Sequence, residues 1–194
     1  VDVNRLAAEE TLGIILSEDG RAEAFACDVT REEDVRRVVE AVISAHGRID
    51  ILHNNLGTTK MVGPPDISLD DWRRQIDINV TGAFLACKYV IPIMQAQKKG
   101  VITNISSAAG LRYTGYPYAS YYAAKGAVNQ FTVGIALQYA RDGIRCNAIL
   151  PGLMDTPLIH QQITGQYADT SEMLAKRHDA SPTGRMGTGW DIAN

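Results

Sequence analysis

Tyr121 and Lys125 are the residues of this chain whose types and spacing could most directly perform chemistry. Side chains four positions apart on a helix share one face, with about 5–6 Å between their Cβ atoms. A cation at that distance favours the phenolate, so the spacing predicts that the pKa of Tyr121 is lowered towards the working pH. Such a tyrosine could exchange a proton with an alcohol or carbonyl oxygen. Tyr122 is the alternative, because it lies three residues before Lys125 and could share the same face.

Ser107 and Asn79 could complete a site around this pair. Ser107 follows an apolar segment and precedes Tyr121 by fourteen residues, and capping of the turn after a strand is one interpretation of this serine. Ser106, directly beside it, is the competing serine. Asn79 lies inside a long apolar helical pattern, where an amide side chain is costly unless it is hydrogen-bonded. An ordinary helix irregularity is the other interpretation of Asn79.

Alternating helical and strand patterns predict an α/β fold, with a parallel, doubly wound sheet between two layers of helices. The predicted elements follow one another as helix 4–17, strand 22–27, helix 30–46, strand 49–53, helix 69–97, strand 101–105, helix 121–140 and strand 144–150. The sequence from Thr30 to Glu33 resembles a capping box. Strand 49–53 is a continuous apolar run of the kind that is buried on both faces. The long helix should break near Asn79.

Bulk composition restricts the function classes. At 194 residues and 45% apolar content, the chain fits one domain with a sizeable core. A net charge of -3 with interspersed signs gives no basic patch for nucleic acid or membrane lipid. Uninterrupted apolar runs are too short to span a bilayer. The three scattered cysteines suit buried thiols in a reducing compartment, so no metal site is predicted and a soluble cytoplasmic protein is expected.

Several short motifs occur in a fixed order along the chain. They are Cys27-Asp28-Val29, Asn54-Asn55-Leu56-Gly57, Asn79-Val80-Thr81-Gly82, the segment from Asn104 to Gly110, the Tyr121/Lys125 pair, and the segment from Pro151 to Pro157. In these motifs the chain resembles the short-chain dehydrogenase/reductase superfamily, in its single-domain branch. The resemblance implies one Rossmann-like domain over residues 1–194, with residues 157–180 as a substrate lid.

The resemblance also implies a role for each catalytic candidate. Tyr121 would be the acid/base, and Lys125 would bind the nicotinamide ribose and lower the pKa of the tyrosine. Ser107 would hold the substrate oxygen. Asn79 would bend its helix and hold a water molecule in a proton relay through Lys125.

A nicotinamide cofactor is implied by the same resemblance. Asp2 would accept hydrogen bonds from the adenosine ribose, which suits NAD and repels the 2′-phosphate of NADP, although Arg5 lies nearby. The full set of predicted cofactor-binding residues is Asp2, Asp28, Val29, Asn54, Gly57, Tyr121, Lys125, Pro151, Gly152 and Thr156. Leu56 replaces an alanine that is usual in the superfamily.

The predicted function is therefore NAD(H)-dependent interconversion of a secondary alcohol and a ketone. An NADP-dependent carbonyl or 3-oxoacyl reductase is the first alternative, and a non-catalytic assembly partner is the second. The resemblance implies a homodimer or homotetramer that pairs through helices 69–97 and 121–140. His160 or His178 could contact substrate, and the polar residues of the predicted lid suggest a small or polar substrate, such as a sugar or hydroxy acid.

The predicted fold is incomplete at both ends. A dinucleotide-binding fold normally begins with a strand and a glycine-rich turn at a helix N-terminus, and none of the seventeen glycines lies in such a turn. The last residues read as the opening of a helix that superfamily members follow with a final strand. We therefore expect the sequence to be a fragment of a longer enzyme, with a genuinely shortened relative as the alternative.

Overall fold

A computed structural model of the protein describes residues 1–157, 159 and 170–193. Its elements follow the order α1 (Arg5–Ser17), α2 (Glu32–His46), β1 (Ile51–Asn54), α3 (Leu69–Ile76), a π-helical turn (Asp77–Thr81), α4 (Gly82–Gln97), β2 (Gly100–Ile105), α5 (Ala119–Gln138), β3 (Ile144–Ile149), β4 (Met154–Asp155), α6 (Thr170–Asp179), β5 (Gly187–Thr188) and α7 (Gly189–Ala193). Short 3₁₀ turns follow β2 and α5.

Strands β1, β2 and β3 form a parallel sheet in chain order. Asn54 pairs in register with Asn104, and Asn104 pairs with Ala148. The connections between these strands are helical, which confirms the predicted parallel α/β arrangement. Because the strands run in one direction, the residues that follow them meet at one edge of the sheet. The residues that follow β2 and β3 are Ser106 and Leu150.

The main core lies between this sheet and helices α4 and α5. It joins Met94 and Val90 of α4, Ile135 of α5, and Ile102 and Ile144 of the strands. Met94 and Ile102 are fully buried. A second cluster packs α2 against α4.

The opposite face of the sheet is more open within the described residues. Ile51 is 67% exposed, and the strand residues His53, Arg145 and Asn147 are also exposed. The prediction that strand 49–53 is buried on both faces is therefore wrong. A parallel strand is buried on both faces only where helices cover both sides of the sheet. The helices of the main core pack on the face that carries Leu52 and Ile102.

Two local predictions near the N-terminus are also wrong. Residues 22–27 form no continuous strand, because their pairing is limited to one bridge between Asp2 and Ala26. Thr30 does not open α2, whose N-cap is Arg31 without a side-chain hydrogen bond. The Thr30 hydroxyl instead donates to Oδ1 of Asp28 at 2.7 Å.

The long helical segment breaks where the sequence predicts. α3 and α4 are joined by the π-helical turn that contains Asn79. By length and composition alone, the whole 29-residue segment Leu69–Gln97 could cross a bilayer. Its composition has a structural explanation, because five buried residues of α4 belong to the two core clusters that pack against the sheet and α2.

A buried polar ladder ties the sheet to α5. Asn54 donates from Nδ2 to Oδ1 of Asn104 at 2.9 Å, and Asn104 donates from Nδ2 to the Thr132 hydroxyl at 2.9 Å. The thiols of Cys87 and Cys146 lie at 3.9 and 3.6 Å from the same two amides. Both cysteines are buried and free, as the sequence predicts. Burial raises their pKa values to about 12 and about 11, so these thiols are protonated at neutral pH.

Candidate active site

Ser107 and Tyr121 line one cavity of about 450 Å³. Ser107 is the second residue after β2, and its hydroxyl caps the following 3₁₀ turn by accepting from the amide of Ala109 at 3.2 Å. Tyr121 lies in the first turn of α5. The end of a strand and the start of a helix therefore present two hydroxyls to the same space.

Ser106 and Tyr122, the alternatives to Ser107 and Tyr121, form hydrogen bonds with the backbone. Ser106 is 3% exposed and donates from its hydroxyl to the carbonyl oxygen of Lys125 at 3.1 Å. The Tyr122 hydroxyl donates to the carbonyl oxygen of Tyr116 at 2.8 Å and accepts from the amide of Thr114 at 3.0 Å. Both hydroxyls therefore hold backbone in place, and the geometry favours Ser107 and Tyr121 as the reactive pair.

Lys125 is almost completely buried beside this cavity, with 2% of its surface exposed. Its ammonium donates to the carbonyl oxygens of Leu56 and Ile105, each at 2.9 Å. The Leu56 carbonyl lies just after β1, and the Ile105 carbonyl lies at the end of β2. The lysine therefore bridges the carboxyl ends of neighbouring strands. Burial lowers its pKa to about 8, because removing a charge from water disfavours the ammonium.

The predicted lowering of the Tyr121 pKa does not occur in this structure. Burial raises the pKa of Tyr121, and the hydrogen bond with Ser107 opposes that rise only in part. The Lys125 Nζ atom lies 5.6 Å from the centroid of the Tyr121 ring. Its hydrogen bonds go to the two carbonyls rather than to the phenol. Desolvation of the phenolate is therefore the larger effect on the pKa of Tyr121.

Asn79 is 1% exposed in the π-helical turn. Its Nδ2 atom donates to the carbonyl oxygens of Gln75 at 2.8 Å and Thr58 at 3.0 Å. Its buried Oδ1 atom has no hydrogen-bond partner within the described residues. A Cβ atom built on Gly57 would lie 3.8 Å from this Oδ1 and 3.7 Å from Nζ of Lys125. Within the described residues, the π-helical turn thus places the unpartnered Asn79 oxygen near the ammonium of Lys125.

Three predicted cofactor-binding residues line the same cavity: Pro151, Gly152 and Thr156. They follow β3, at the edge of an open α/β sheet where ligands bind. A Cβ atom added at Gly152 would meet no other atom within 4 Å, so open space adjoins this backbone. The Asn79 oxygen, which has no partner within the described residues, adds an acceptor near Lys125. These features fit the nicotinamide end of a dinucleotide.

Four further predicted cofactor-binding residues, namely Asp2, Asp28, Val29 and Asn54, lie outside the lining of this cavity. Asp2 accepts from the amide of Asn4 at 2.8 Å. Asp28 accepts from the amide and hydroxyl of Thr30, and these bonds lower its pKa. Val29 packs near Gly82. The side chain of Asn54 belongs to the buried ladder, so cofactor contact from this position stays a prediction, as it does for the other three.

Sequence reasoning missed a cation in the cavity wall. Arg177 of α6 lines the cavity and is 5% exposed. In the sequence it follows Lys176 near the end of a polar helix, a pattern that indicates a solvated charge. No local signal distinguishes it, because β4 and β5 bring the C-terminal segment to the cavity only in the folded chain.

Part of the predicted lid, including His160, lies outside the described residues. His178 is described, and its Nδ1 atom accepts from the amide of Met186 at 3.1 Å. That contact gives the ring a structural role. Contact of either histidine with substrate stays a prediction.

The chain is similar to known proteins in sequence. A family model described as "Enoyl-(Acyl carrier protein) reductase" matches residues 1–194. An uncharacterised oxidoreductase of Bacillus subtilis (strain 168) is 36% identical over 194 residues, which cover 99% of this chain and 70% of the relative. The 2-(S)-hydroxypropyl-CoM dehydrogenase 3 of Xanthobacter autotrophicus is 35% identical over 195 residues, covering 100% of this chain and 75% of the relative.

Solved structures agree with the same assignment. A short-chain dehydrogenase/reductase from Burkholderia xenovorans superimposes with a TM-score of 0.94 at 37% identity, covering 100% of this chain and 73% of that one. An NAD+-bound xylitol dehydrogenase gives a TM-score of 0.88 at 32% identity over 96% of this chain and 75% of that one. A gluconate 5-dehydrogenase from Burkholderia cenocepacia, in complex with NADP and tartrate, gives 0.83 at 30% identity over 97% and 72%. With its parallel Rossmann-like α/β fold, this chain belongs to the short-chain dehydrogenase/reductase superfamily.

Proposed function

We propose that this protein is an NAD(H)-dependent oxidoreductase that interconverts a secondary alcohol and a ketone. The observation that carries the proposal is that Ser107 and Tyr121 share one cavity, with the ammonium of Lys125 buried beside Tyr121. The chain is an NAD(P)-dependent dehydrogenase or reductase acting on CH–OH groups, as its relatives' names indicate. The preference for NAD and the acid/base role of Tyr121 are proposed in addition to this general activity.

In this mechanism Ser107 donates a hydrogen bond to the substrate oxygen and fixes it beside Tyr121. The phenol oxygen of Tyr121 takes the hydroxyl proton during oxidation and returns it during reduction. A bound nicotinamide ring would supply the hydride chemistry. Lys125 holds positive charge near Tyr121, because two carbonyl oxygens fix its ammonium. Asn79 offers its free Oδ1 atom to a water molecule that could connect Lys125 to solvent.

Pro151, Gly152 and Thr156 would hold the nicotinamide end, with Gly57 leaving space next to Lys125. Asp2, Asp28 and Val29 would contact the adenosine end. NAD is favoured over NADP because the exposed carboxylate of Asp2 would repel a 2′-phosphate. The structural neighbours include both NAD- and NADP-bound proteins, so NADP is the alternative.

The proposal is tested by following absorbance of the reduced cofactor during oxidation of a panel of secondary alcohols. We expect turnover with NAD to exceed turnover with NADP. Tyr121→Phe should lower kcat by about 10²-fold to 10⁴-fold. Tyr139→Phe is the matched control, since that ring packs against the main core, outside the cavity lining, and the substitution should leave kcat unchanged. Full activity of Tyr121→Phe would refute the tyrosine mechanism.

A homodimer or homotetramer in the cytoplasm is part of the same proposal. Phe84 of α4 and Val133 and Leu137 of α5 are exposed, and apolar residues on these two helices would suit a self-complementary contact. Light scattering should give a multiple of the monomer mass. Leu137→Arg should shift the protein towards monomer, and a monomeric wild-type protein would refute this assembly.

A further inference from the structure

Arg177 lies in the wall of the proposed active-site cavity. The residue is 5% exposed, and its buried Nε atom has no hydrogen-bond partner among the residues that the structure describes. Its guanidinium carbon lies 5.7 Å from the centroid of the Tyr116 ring, which also lines the cavity. A buried guanidinium is costly unless an anion or several acceptors satisfy it, and one aromatic face compensates only part of that cost.

The charge of the surrounding wall is unbalanced. Arg177 and Arg112 both line the cavity, whereas no aspartate or glutamate is among the lining residues that the structure describes. No described carboxylate forms an ion pair with Arg177. By contrast, its neighbour Lys176 pairs with Glu172 at 2.6 Å on the outer side of α6. Within the described part of the chain, the buried Arg177 therefore has no counter-charge, whereas the exposed Lys176 has one.

We propose that Arg177 binds an anionic group of the substrate, a carboxylate, so that the site takes hydroxy acids and the corresponding oxo acids. A guanidinium matches a carboxylate with two parallel N–H···O bonds, and partial burial strengthens them. The inference rests on the proposed function, since it concerns the substrate of the same site. It adds a specificity-determining residue that does not itself take part in hydride or proton transfer.

A phosphate of the cofactor is the other source of an oxyanion. The substrate is favoured because Arg177 shares its cavity with Ser107 and Tyr121, where the reacting oxygen would lie. Asp2 and Asp28, predicted for the adenosine end of the cofactor, lie outside the cavity lining. Separate calorimetric titrations with NAD and with hydroxy acids distinguish the two ligands.

The test is calorimetric binding, which does not require turnover. The protein is titrated with racemic 2-, 3- and 4-hydroxy acids of four to eight carbons, and with diols in which the carboxylate is replaced by CH₂OH. At least one acid should bind more tightly than its matched diol. Arg177→Met should weaken binding of that acid about tenfold to hundredfold and leave binding of the diol unchanged. Arg177→Lys should recover part of the affinity, because it keeps the charge.

Lys176→Met is the matched control, because it removes a charge from the same helix at an exposed position. It should leave acid binding unchanged. Equal binding of acids and diols by the wild-type protein, or absence of acid binding, would overturn the proposal. So would equal weakening of acid and diol in Arg177→Met, which would indicate a structural role. Weakened NAD binding with unchanged acid binding would assign Arg177 to the cofactor instead.

This result is separable from the proposed function. Selective acid binding without turnover would support the role of Arg177 and count against hydride transfer by this protein. Turnover of neutral alcohols, unaffected by Arg177→Met, would support the oxidoreductase activity and overturn the anionic substrate.

Discussion

The ammonium of Lys125 lies 5.6 Å from the centre of the Tyr121 ring, yet it donates to the carbonyl oxygens of Leu56 and Ile105. The lysine is therefore fixed by the ends of two strands before any ligand binds. Desolvation dominates at the tyrosine, because burial raises the pKa of Tyr121 and the hydrogen bond with Ser107 opposes that rise only in part.

Ser107→Ala should move the pH dependence of the reaction. The hydrogen bond from Ser107 lowers the pKa of Tyr121, so its loss raises that pKa further. Alcohol oxidation needs the tyrosine deprotonated, and its ascending limb should therefore shift to higher pH. The value of kcat/KM should fall about 10²-fold to 10³-fold, since a donor to the developing charge is lost. Steady-state kinetics between pH 8 and pH 11 measures both effects, and an unshifted profile would contradict the contact.

Lys125→Met should change how stability depends on pH. Burial lowers the pKa of Lys125 from 10.5 to about 8, so the folded state binds fewer protons than the unfolded state between these values. Lys125 therefore destabilises the wild-type protein at pH 8 and below, and this cost disappears as the pH rises towards 10.5. Relative to wild type, Lys125→Met should lose about 2 kcal/mol of unfolding free energy between pH 8 and pH 10.

Urea unfolding of both proteins at several pH values measures this difference. Groups shared by the two proteins, such as the buried thiols, cancel in the comparison. A constant difference in unfolding free energy across the pH range would show that the pKa of Lys125 is not lowered in the folded state.

Asn104→Leu should destabilise the fold by about 1–3 kcal/mol, because it removes the acceptor of the Asn54 amide and leaves a buried donor unsatisfied. The double variant Asn54→Leu/Asn104→Leu should cost less than the sum of the single variants, since it leaves neither amide of that pair behind. Chemical denaturation of the three variants forms a double-mutant cycle. Strict additivity would show that the hydrogen bond between the two asparagines contributes nothing.

Gly110→Ala should lower both stability and activity. A Cβ atom at this position would lie 2.7 Å from the carbonyl oxygen of Lys125 and 2.6 Å from Nδ2 of Asn129. The turn that holds Ser107 would have to move away from α5, at a cost of about 1–3 kcal/mol. Gly13→Ala is the matched control, because a Cβ atom there meets nothing within 4 Å and should stabilise α1 by about 0.5–1 kcal/mol. Equal thermal stability of the two variants would contradict the close approach at Gly110.

Much of the site is predictable from residues that are close in sequence. The spacing of Tyr121 and Lys125 places them on one turn of helix, and a costly asparagine in an apolar helix marks the π-helical turn at Asn79. Apolar residues mark the three strands because one face of the sheet, which includes Leu52, Ile102 and Ile144, packs against the core. Such signals are local, and the periodicity of one element is enough to find them.

The choice between neighbouring residues depended on the tertiary structure. Ser106 and Ser107 are indistinguishable by type, but in the folded chain the Ser106 hydroxyl donates to the backbone of α5, whereas the Ser107 hydroxyl is hydrogen-bonded with Tyr121. The open face at Ile51 likewise depends on which helices pack there.

By itself, the sequence determined the superfamily, the order of the main helices and strands and the candidate pair Tyr121/Lys125, since these follow from local spacing and ordered motifs. Only the tertiary structure decided the raised pKa of Tyr121 and the presence of Arg177 in the cavity wall. Desolvation and charge balance are sums over groups that are distant in sequence. They exist only once the strand ends, α5 and α6 have come together.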